Sequence, residues 1–429
     1  MNANTDEREI ISSKRLGESF IRVRHSSGLE LRLCPMKDFA SSFALMTVRY
    51  GSSDIRFGDC PGNIAEVPAG VAHFLEHKLF ESEDGDAFER FAATGANANA
   101  YTTFDRTAYL FSCTERFDES IEILLDFVSK PYFTPETVAK EQGIIAQEIK
   151  MYDDSADWRV MFNLLGALYH NNPIRTDIAG TVDSIARIDD ELLYRCYDAF
   201  YAPSNMVLTV AGGFDVDTVL RAADRILPRR SAVTLVRAQP DEPETVVADY
   251  VEQRLPVAQP MFYIGFKGLP GDAKQNFIDQ VRDELLCDII AGESSPLYRR
   301  LYDGGMINST FGGEVFSGRD HINIMFAGES RDPLAVREAI NGEIRRIMDE
   351  GIDGELFALS RRAAYGRYIR MFDKPEAVAS ALASTYLAGL TPYDLPEIVA
   401  ETTIKHLTER LIRCYDISRS SISVILPTA

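Results

Sequence analysis

The spacing of apolar residues along the chain changes between the period of a strand and the period of a helix. Residues 43–50 form a largely apolar run that ends at a turn signal of glycine, serine and aspartate, which predicts a buried strand. Shorter apolar runs at 107–112 and 206–211 predict two further strands. Residues 118–129 carry apolar side chains three and four positions apart, which predicts an amphipathic helix. The first half of the chain is therefore predicted to mix strands with helices.

Two further helices are predicted in this half. A loop rich in glycine and proline leads into a helix that carries residues 73–77. Thr134, Pro135 and Glu136 supply a cap, a proline at the first helical position and an acid in the first turn. They predict a helix that runs to about Tyr152.

The pattern restarts in the second half of the chain, which indicates an internal repeat. Residues 228–258 are charged, weakly periodic and interrupted by four prolines, as expected of an exposed linker. Residues 260–268 then repeat the character of the first strand, and a helix at 283–290 follows them. Because 429 residues exceed one ordinary core, we predict two α+β domains of similar plan. Their predicted bounds are 1–227 for the first domain, 228–258 for the linker and 259–429 for the second domain.

The composition excludes several classes of function. The 65 acidic and 45 basic residues give a formal net charge of −20, so the chain lacks the basic surface that binds nucleic acid. No apolar run approaches the ~18 residues of a membrane span. The polar N-terminal segment has no apolar signal region, so we expect a cytoplasmic protein. The six scattered cysteines form no CxxC pair, which predicts free thiols rather than disulfides or a cysteine zinc site.

The segment His73-Phe74-Leu75-Glu76-His77 is the strongest chemical motif. Residues four apart on a helix point the same way, so the two imidazoles share a face and Glu76 stands beside them. Two neutral imidazoles can bind a zinc ion at ~2.0–2.1 Å, and a neighbouring carboxylate can act as a general base toward water. The alternative is a surface helix with two solvated histidines. The apolar residues around the motif favour a buried helix, in which a histidine pair needs a partner such as a metal.

A catalytic zinc site needs a third protein ligand and one open position. The helix after Pro135 offers Glu141 and Glu148, which are two helical turns apart and therefore share a face. Either carboxylate can reach the metal while the other supports the site from behind. The spacing alone does not order the two.

The order of the histidines and the glutamate is that of the reversed zincin motif, HxxEH. With residues 72–80, 95–102 and 141–148, and with Asn205-Met206, the chain resembles the pitrilysin/insulinase family of zinc metallopeptidases. The resemblance covers nearly the whole chain and is most specific over 66–215. At this length the chain is similar to the short bacterial members, which resemble mitochondrial processing peptidase subunits and form dimers of two-domain chains.

The resemblance implies a role for individual residues. His73, His77 and Glu148 would bind one zinc ion per chain, Glu76 would be the general base, and Glu141 would be the supporting acid. It also implies the fold, in which each domain is a curved, mostly antiparallel sheet with helices on one face. The first domain would carry the zinc, and the second would complete a chamber.

The resemblance further implies a substrate-binding strand at Asn99 and Ala100. In the family an edge strand at this position binds the peptide substrate as an added β-strand, a mode that recognises backbone more than side chains. The alternative for Asn99 is an ordinary turn residue.

The second half of the chain departs from the family pattern. Many members carry an arginine and, seven residues later, a tyrosine that polarises the substrate carbonyl. Alignment of residues 294–301 puts Tyr302 and Ser309 at these positions. Either the chain is a homodimer with altered substrate contacts, or it is the zinc-bearing subunit of a heterodimer whose paralogous partner supplies the pair. We favour the heterodimer.

The sequence thus predicts a zinc-dependent endopeptidase that hydrolyses short or unfolded peptides inside a dimer chamber. A non-catalytic scaffold or assembly subunit of the same fold is the alternative, although all four positions of the metal and base set are present. Another metal-dependent hydrolase does not explain the segment around Asn99. Signal-peptide remnants, leader peptides and general oligopeptides are all compatible as substrates.

Overall fold

The computed structural model of the chain describes residues 7–83, 85–228 and 234–428. Packing groups them into two compact units, each built from three separate segments. The first unit takes the described parts of 1–149, 177–239 and 369–393, and the second takes those of 150–176, 240–368 and 394–429. The predicted domains, 1–227 and 259–429, divide the chain by its internal repeat and not by packing. That division stays a prediction.

The strands are numbered in chain order. Within the described residues they are β1 (Glu7–Ser13), β2 (Glu18–Arg24), β3 (Glu30–Pro35), β4 (Ser42–Val48), β5 (Arg56–Gly58), β6 (Ile64–Glu66), β7 (Glu81–Ser82), β8 (Gly85–Asp86), β9 (Asn97–Thr102), β10 (Thr107–Cys113), β11 (Met206–Gly212), β12 (Val236–Arg237), β13 (Tyr250–Leu255), β14 (Met261–Lys267), β15 (Gly312–Ser317), β16 (Ile322–Glu329) and β17 (Ser420–Pro427).

The helices are numbered in the same way. Within the same ranges they are α1 (Val71–Leu79), α2 (Ala87–Thr94), α3 (Phe117–Ser129), α4 (Pro135–Asp153), α5 (Ala156–Leu168), α6 (Val182–Ile185), α7 (Asp190–Phe200), α8 (Val216–Ile226), α9 (Ala273–Ala291), α10 (Pro296–Asp303), α11 (Pro333–Glu350), α12 (Gly354–Arg370), α13 (Pro375–Leu387), α14 (Asp394–Glu401) and α15 (Ile404–Cys414). None of these described helices is both long enough and apolar enough to cross a membrane.

The strongest sequence patterns are confirmed as elements. The strands predicted at 43–50, 107–112 and 206–211 are β4, β10 and β11, and the helices predicted at 118–129 and from Pro135 are α3 and α4. In the second half, the strand predicted at 260–268 is β14. The helix predicted at 283–290 begins earlier, at Ala273, because the Asp272 side chain caps it by accepting a hydrogen bond from the Gln275 backbone.

Part of the predicted linker belongs to a sheet. Strand β13 lies inside residues 228–258 and pairs in parallel with β17. Along β13, Val251, Gln253 and Leu255 are half-buried, and the residues between them are exposed. This period of two was concealed by the charged residues around it, so 250–255 are a strand rather than a linker. Residues 229–233 of the predicted linker lie outside the described residues.

The main sheet of the first unit has the order β1-β2-β3-β11-β4-β10-β9. Its neighbouring strands are antiparallel except β3 and β11, which are parallel. Strand β9 therefore forms one edge of the sheet and pairs only with β10 within it. The other side of its backbone is open among the described residues of this sheet.

The central strand β4 is buried along its whole length. Ala44, Met46 and Val48 pack into a core with α1 and α3, and Phe43 and Leu45 pack into a second core with α13. The two sets alternate because successive side chains of a strand point to opposite faces. Helices thus cover both faces of the sheet, and this explains why β4 reads as a continuous apolar run.

The second unit repeats the plan of the first. Its sheet has the order β13-β17-β14-β16-β15, with β13 and β17 parallel and the other pairs antiparallel. This is the order of β3-β11-β4-β10-β9, with α5 packed on the sheet where α13 packs on the first. The prediction of two homologous α+β units with mostly antiparallel sheets is confirmed. The prediction placed helices on one face of each sheet. In the first unit, α13 also packs on the opposite face.

A short sequence repeat marks the equivalent positions. The letters Arg-Cys-Tyr-Asp occur at 195–198, before β11, and again at 413–416, before β17. Tyr197 and Tyr415 are both buried in their units. All six cysteine thiols are free; Cys60 is exposed and the other five are buried.

A buried ion-pair cluster joins two helices of the second unit. Arg410 on α15 donates from Nη1 to Asp279 (2.7 Å) and from Nε to Asp283 (3.1 Å), and all three side chains are buried. Burial raises the pKa of Asp283 to about 6, although Arg410 opposes the shift. The two aspartates are four residues apart on α9, as His73 and His77 are on α1. Where the first unit has two imidazoles, the second has two carboxylates around a guanidinium.

We expect Asp283→Ala to destabilise the second unit by about 3–5 kcal/mol, because it leaves the buried guanidinium of Arg410 with only part of its partners. The control is Glu409→Ala on α15, the helix of Arg410, which removes an exposed ion pair with Lys405 and should cost less than about 1 kcal/mol. Urea unfolding followed by circular dichroism measures both. Equal losses in the two variants would contradict the importance of the buried cluster.

Candidate metal centre

Helix α1 is embedded in the core of the first unit. Eight of its nine residues are buried, and only His77 is partly exposed. Gly70 precedes the helix with φ of 95°, and a Cβ atom there would lie 2.5 Å from the Ala179 carbonyl oxygen, so the turn requires glycine. Leu75 and Leu79 belong to the main core of this unit. The core thus fixes α1, and with it the polar side chains that α1 carries.

Three side chains converge beside this helix. The Nε2 atom of His73 lies 3.7 Å from one carboxylate oxygen of Glu148, and the Nε2 atom of His77 lies 3.5 Å from the other. The potential ligand atoms of the three residues all lie within 4.8 Å of one another. Two atoms bound to a tetrahedral zinc ion are about 3.4 Å apart, given zinc–ligand bonds of ~2.0–2.2 Å. Two nitrogens and one oxygen at these distances fit such an ion with one position left open.

His73 is suited to bind a metal through a neutral ring. Its side chain is only 8% exposed, and burial, together with the charge of His77, lowers its pKa to about 3. Among the described residues, its buried Nδ1 atom has no hydrogen-bond partner. A neutral imidazole keeps a lone pair for a metal, whereas a protonated one does not.

His77 is oriented by Glu141. Its Nδ1 atom lies 2.9 Å from a carboxylate oxygen of Glu141, which is also buried. Burial acts to lower the pKa of His77, but the hydrogen bond to Glu141 and the charges of Glu76 and Glu148 raise it overall. When His77 donates from Nδ1 to Glu141, its other ring nitrogen, Nε2, is the one that faces Glu148. This is the arrangement in which a carboxylate supports a metal-bound histidine from behind.

The two glutamates of α4 are thus distinguished by position. Glu148 lies near Nε2 of both histidines, and Glu141 lies behind His77. The sequence spacing did not decide which of the two is the ligand. The family resemblance implied Glu148 as the ligand and Glu141 as the supporting acid, which is the order of this geometry.

Glu76 lies beside the three side chains and is 9% exposed. Burial raises its pKa, which the hydrogen bond from Thr102 and the charge of His77 oppose. The Thr102 hydroxyl donates to Oε2 of Glu76 at 2.7 Å. A carboxylate with a raised pKa is a better proton acceptor near neutral pH than an ordinary one.

The segment that contains Asn99 and Ala100 is the edge strand β9, which packs against α1. Asn99 is exposed, while Ala100 packs against the core. The backbone N–H of Ala100 donates to the side-chain oxygen of Asn99 at 2.9 Å. Asn99 is therefore a strand residue, and its side-chain oxygen accepts a hydrogen bond from the backbone N–H of Ala100 in the edge strand.

At the aligned positions the second unit has Tyr302 in place of the arginine and Ser309 in place of the tyrosine. Tyr302 lies on α10, is largely exposed and stacks on Tyr298 at 5.7 Å between ring centroids. Ser309 follows in a turn. Arg299 and Arg300 are exposed on α10, and Arg300 lies 3.9 Å from Glu343. The departure seen in the sequence is thus not compensated at these positions.

Comparisons with known proteins agree with this picture. A model described as insulinase (peptidase family M16) matches residues 60–182, and one described as peptidase M16 inactive domain matches 187–364. The uncharacterized zinc protease YmfH of Bacillus subtilis is 34% identical over 423 residues, which cover 97% of this chain and 99% of that protein. The chain belongs to the M16 peptidase family. The resemblance inferred from the motifs is confirmed.

Two other similar proteins extend the comparison. The crystal structure of a putative M16-like peptidase from Alicyclobacillus acidocaldarius has a TM-score of 0.91 and 32% identity, and 99% of each chain is covered. The mitochondrial-processing peptidase subunit beta of Caenorhabditis elegans is 31% identical over 163 residues, which are 36% of this chain and 35% of that protein.

Sequence reasoning missed one residue of this site. Thr102 lies in the segment that carries the family resemblance, but it received no role. The alternation of β9 is the signal that could have found it, because Ala98, Ala100 and Thr102 share the face that is turned inward.

We expect Glu148→Gln to weaken zinc binding more than Glu141→Gln. Glu148 lies among the potential ligand atoms, whereas Glu141 acts through His77, and loss of such a support typically costs ~10–100-fold in metal affinity. Competition with a chromogenic chelator measures both affinities. Glu136→Gln, an exposed change on the same helix, is the control and should retain the wild-type affinity. A larger loss in the Glu141 variant than in the Glu148 variant would reverse the assigned order.

Proposed function

We propose that the chain is a zinc-dependent endopeptidase that binds one zinc ion through His73, His77 and Glu148. The observation that carries this proposal is the convergence of two imidazole nitrogens and a carboxylate within 4.8 Å of one another beside a buried helix. The chemistry of the donor set supports zinc, because two nitrogens and one oxygen form a common catalytic site for this metal. The relative named as a zinc protease, which matches along nearly its whole length, supports the same activity.

Each polar group of the site has a task in peptide hydrolysis. A zinc ion bound there supplies Lewis acidity, which makes water nucleophilic near neutral pH and polarises the scissile carbonyl. Glu76 accepts the proton that the attacking water loses and passes it to the leaving amine. Glu141 holds the ring of His77 in the tautomer that leaves Nε2 free.

The substrate is a short or unfolded peptide in extended conformation. The open edge of β9 offers backbone groups to which such a peptide can add as a further strand. The side-chain oxygen of Asn99 leaves the N–H of Ala100 when the substrate takes its place. Because backbone groups carry most of this recognition, we expect a broad tolerance for substrate sequence. The cytoplasmic location inferred from the sequence is part of this proposal.

We further propose that the chain is the zinc-bearing subunit of a pair. Tyr302 and Ser309 stand where many relatives have an arginine and a tyrosine, so another chain has to supply the groups that polarise the substrate carbonyl. The relative named as a beta subunit of the mitochondrial-processing peptidase supports such pairing. The partner is a paralogous chain that carries the arginine and tyrosine.

We expect Glu76→Gln to keep zinc but to reduce peptide hydrolysis by ~10²–10⁴-fold, because general acid–base catalysis contributes on this scale. His73→Ala is expected to lose both zinc and hydrolysis. Metal analysis and turnover of a quenched fluorescent peptide by the chain with its partner measure the two properties. Glu89→Gln, an exposed change on α2, is the control and should leave both unchanged. Normal turnover by the Glu76 variant would refute the role of Glu76. Absence of stoichiometric zinc in the wild type would favour a scaffold instead.

We expect the purified chain alone to be weakly active or inactive on peptides, because it lacks the carbonyl-polarising pair. Co-purification from the source, followed by mass spectrometry, should identify a paralogous companion at equal stoichiometry, and its addition should raise turnover. A companion in which that arginine is changed to alanine should bind but not activate. Full activity of the isolated chain, unchanged by any paralogue, would contradict the heterodimer.

A further inference from the structure

We infer that Thr102 is a positioning residue that fixes the carboxylate of Glu76 from the strand on which the substrate is proposed to lie. The inference deepens the proposed function and rests on it for the role of Glu76. Its starting point is the 2.7 Å hydrogen bond from the Thr102 hydroxyl to Oε2 of Glu76.

The carboxylate of Glu76 has two oxygens with different surroundings. Thr102 provides the one hydrogen bond that the described residues make to this carboxylate, and it goes to Oε2. The other oxygen, Oε1, is left for water or substrate. A carboxylate held by one oxygen in this way cannot rotate freely, so Oε1 keeps a defined direction. A general base needs this, because proton transfer requires the acceptor within hydrogen-bond reach of the donor.

Thr102 is itself held firmly. It is the last residue of β9 and stands opposite Thr107 in the register with β10. The Thr107 hydroxyl is buried and donates to the Tyr50 backbone oxygen at 2.9 Å. The position of the Thr102 backbone therefore follows from the paired strands rather than from a loop. A functional side chain on a paired strand is placed more accurately than one on a free loop.

The face of β9 explains how Thr102 reaches the helix. Ala98 and Ala100 precede it on the same inward face and pack against the core that contains α1. Their small side chains allow the strand to come close to the helix. Thr102 can then bridge the short distance to Glu76 with a side chain of only three heavy atoms.

The arrangement links substrate binding to the base. A peptide that adds to the open edge of β9 restrains the same strand that carries Thr102. Strand addition thus restricts the motion of the hydroxyl that holds Oε2, and Glu76 is aligned when the substrate is present. The effect concerns the catalytic step, since Thr102 itself points inward and away from the exposed side chains of the strand.

Two substitutions at position 102 and one at position 103 test this inference. Thr102→Val has nearly the same shape but lacks the donor, whereas Thr102→Ser keeps the donor and loses a methyl group. Thr103→Val is the matched control, because the Thr103 hydroxyl donates to Asp105 in the adjacent turn and not to Glu76. All three are measured in the full chain together with its partner.

We expect Thr102→Val to lower kcat about tenfold, a part of the ~10²–10⁴-fold that a positioned base contributes. KM and zinc content should stay close to the wild-type values, because neither the substrate edge nor the ligands change. Thr102→Ser should restore most of kcat, and Thr103→Val should retain it. An unchanged kcat in Thr102→Val, or a serine variant as slow as the valine variant, would overturn the inference. If the valine variant does not fold, Thr102→Ala provides the same comparison with serine.

A second readout separates this inference from the proposed function. Crystal structures of the zinc-free wild type, Thr102→Val and Thr102→Ser show the orientation of Glu76 without any activity. We expect the carboxylate to keep its place in the serine variant and to rotate or lose order in the valine variant. An unmoved carboxylate in the valine variant refutes the positioning role even if the enzyme is active. A rotated carboxylate in the valine variant, together with a wild-type chain that hydrolyses no peptide even when its partner is present, retains the positioning role and refutes the peptidase.

Discussion

The arrangement of the first unit depends on a helix that carries polar side chains inside an apolar core. An unpaired polar group costs about 1–3 kcal/mol when it is buried, so the polar residues of α1 need partners nearby. Glu141 supplies one for His77, and Thr102 supplies one for Glu76. Glu148 lies 3.7 Å from a ring nitrogen of His73 and 3.5 Å from one of His77, distances that suit a shared metal ion. The apolar face of α1 fixes the helix, and the fixed helix in turn holds the site in a defined geometry.

The carboxylates around this helix differ because their surroundings differ. Glu76 is buried and receives one neutral donor, so its pKa is raised. Glu141 accepts from a histidine ring, which it orients. Glu148 faces two ring nitrogens. These different surroundings suit Glu76, Glu141 and Glu148 to the proposed roles of base, orienting group and ligand, since the environment of a carboxylate sets its chemistry.

The second unit has the same arrangement of strands as the corresponding part of the first unit but lacks the two imidazoles. Its sheet has the order of the corresponding part of the first sheet, and the helix after β14 carries Asp279 and Asp283 four residues apart. Arg410 pairs with both, so the cationic partner is a side chain. A family model described as an inactive domain matches most of this region. The two units thus keep a common topology, while the polar residues on equivalent helices provide different interactions.

The sequence alone determined the strongest elements and pointed to the candidate metal and base residues of the first unit. The apolar run of β4 and the spacing of α3 were readable because burial imposes a period on the chain. The motif around His73, Glu76 and His77 was readable because residues on one helical turn are neighbours in sequence and in space. Tertiary structure was needed wherever the partner is remote in sequence. It decided which glutamate of α4 lies near the ring nitrogens, that Thr102 bonds Glu76, and that α5 and α13 pack on their respective sheets. These contacts depend on how separate elements pack against one another, and such packing produces no periodic pattern of residues in the sequence.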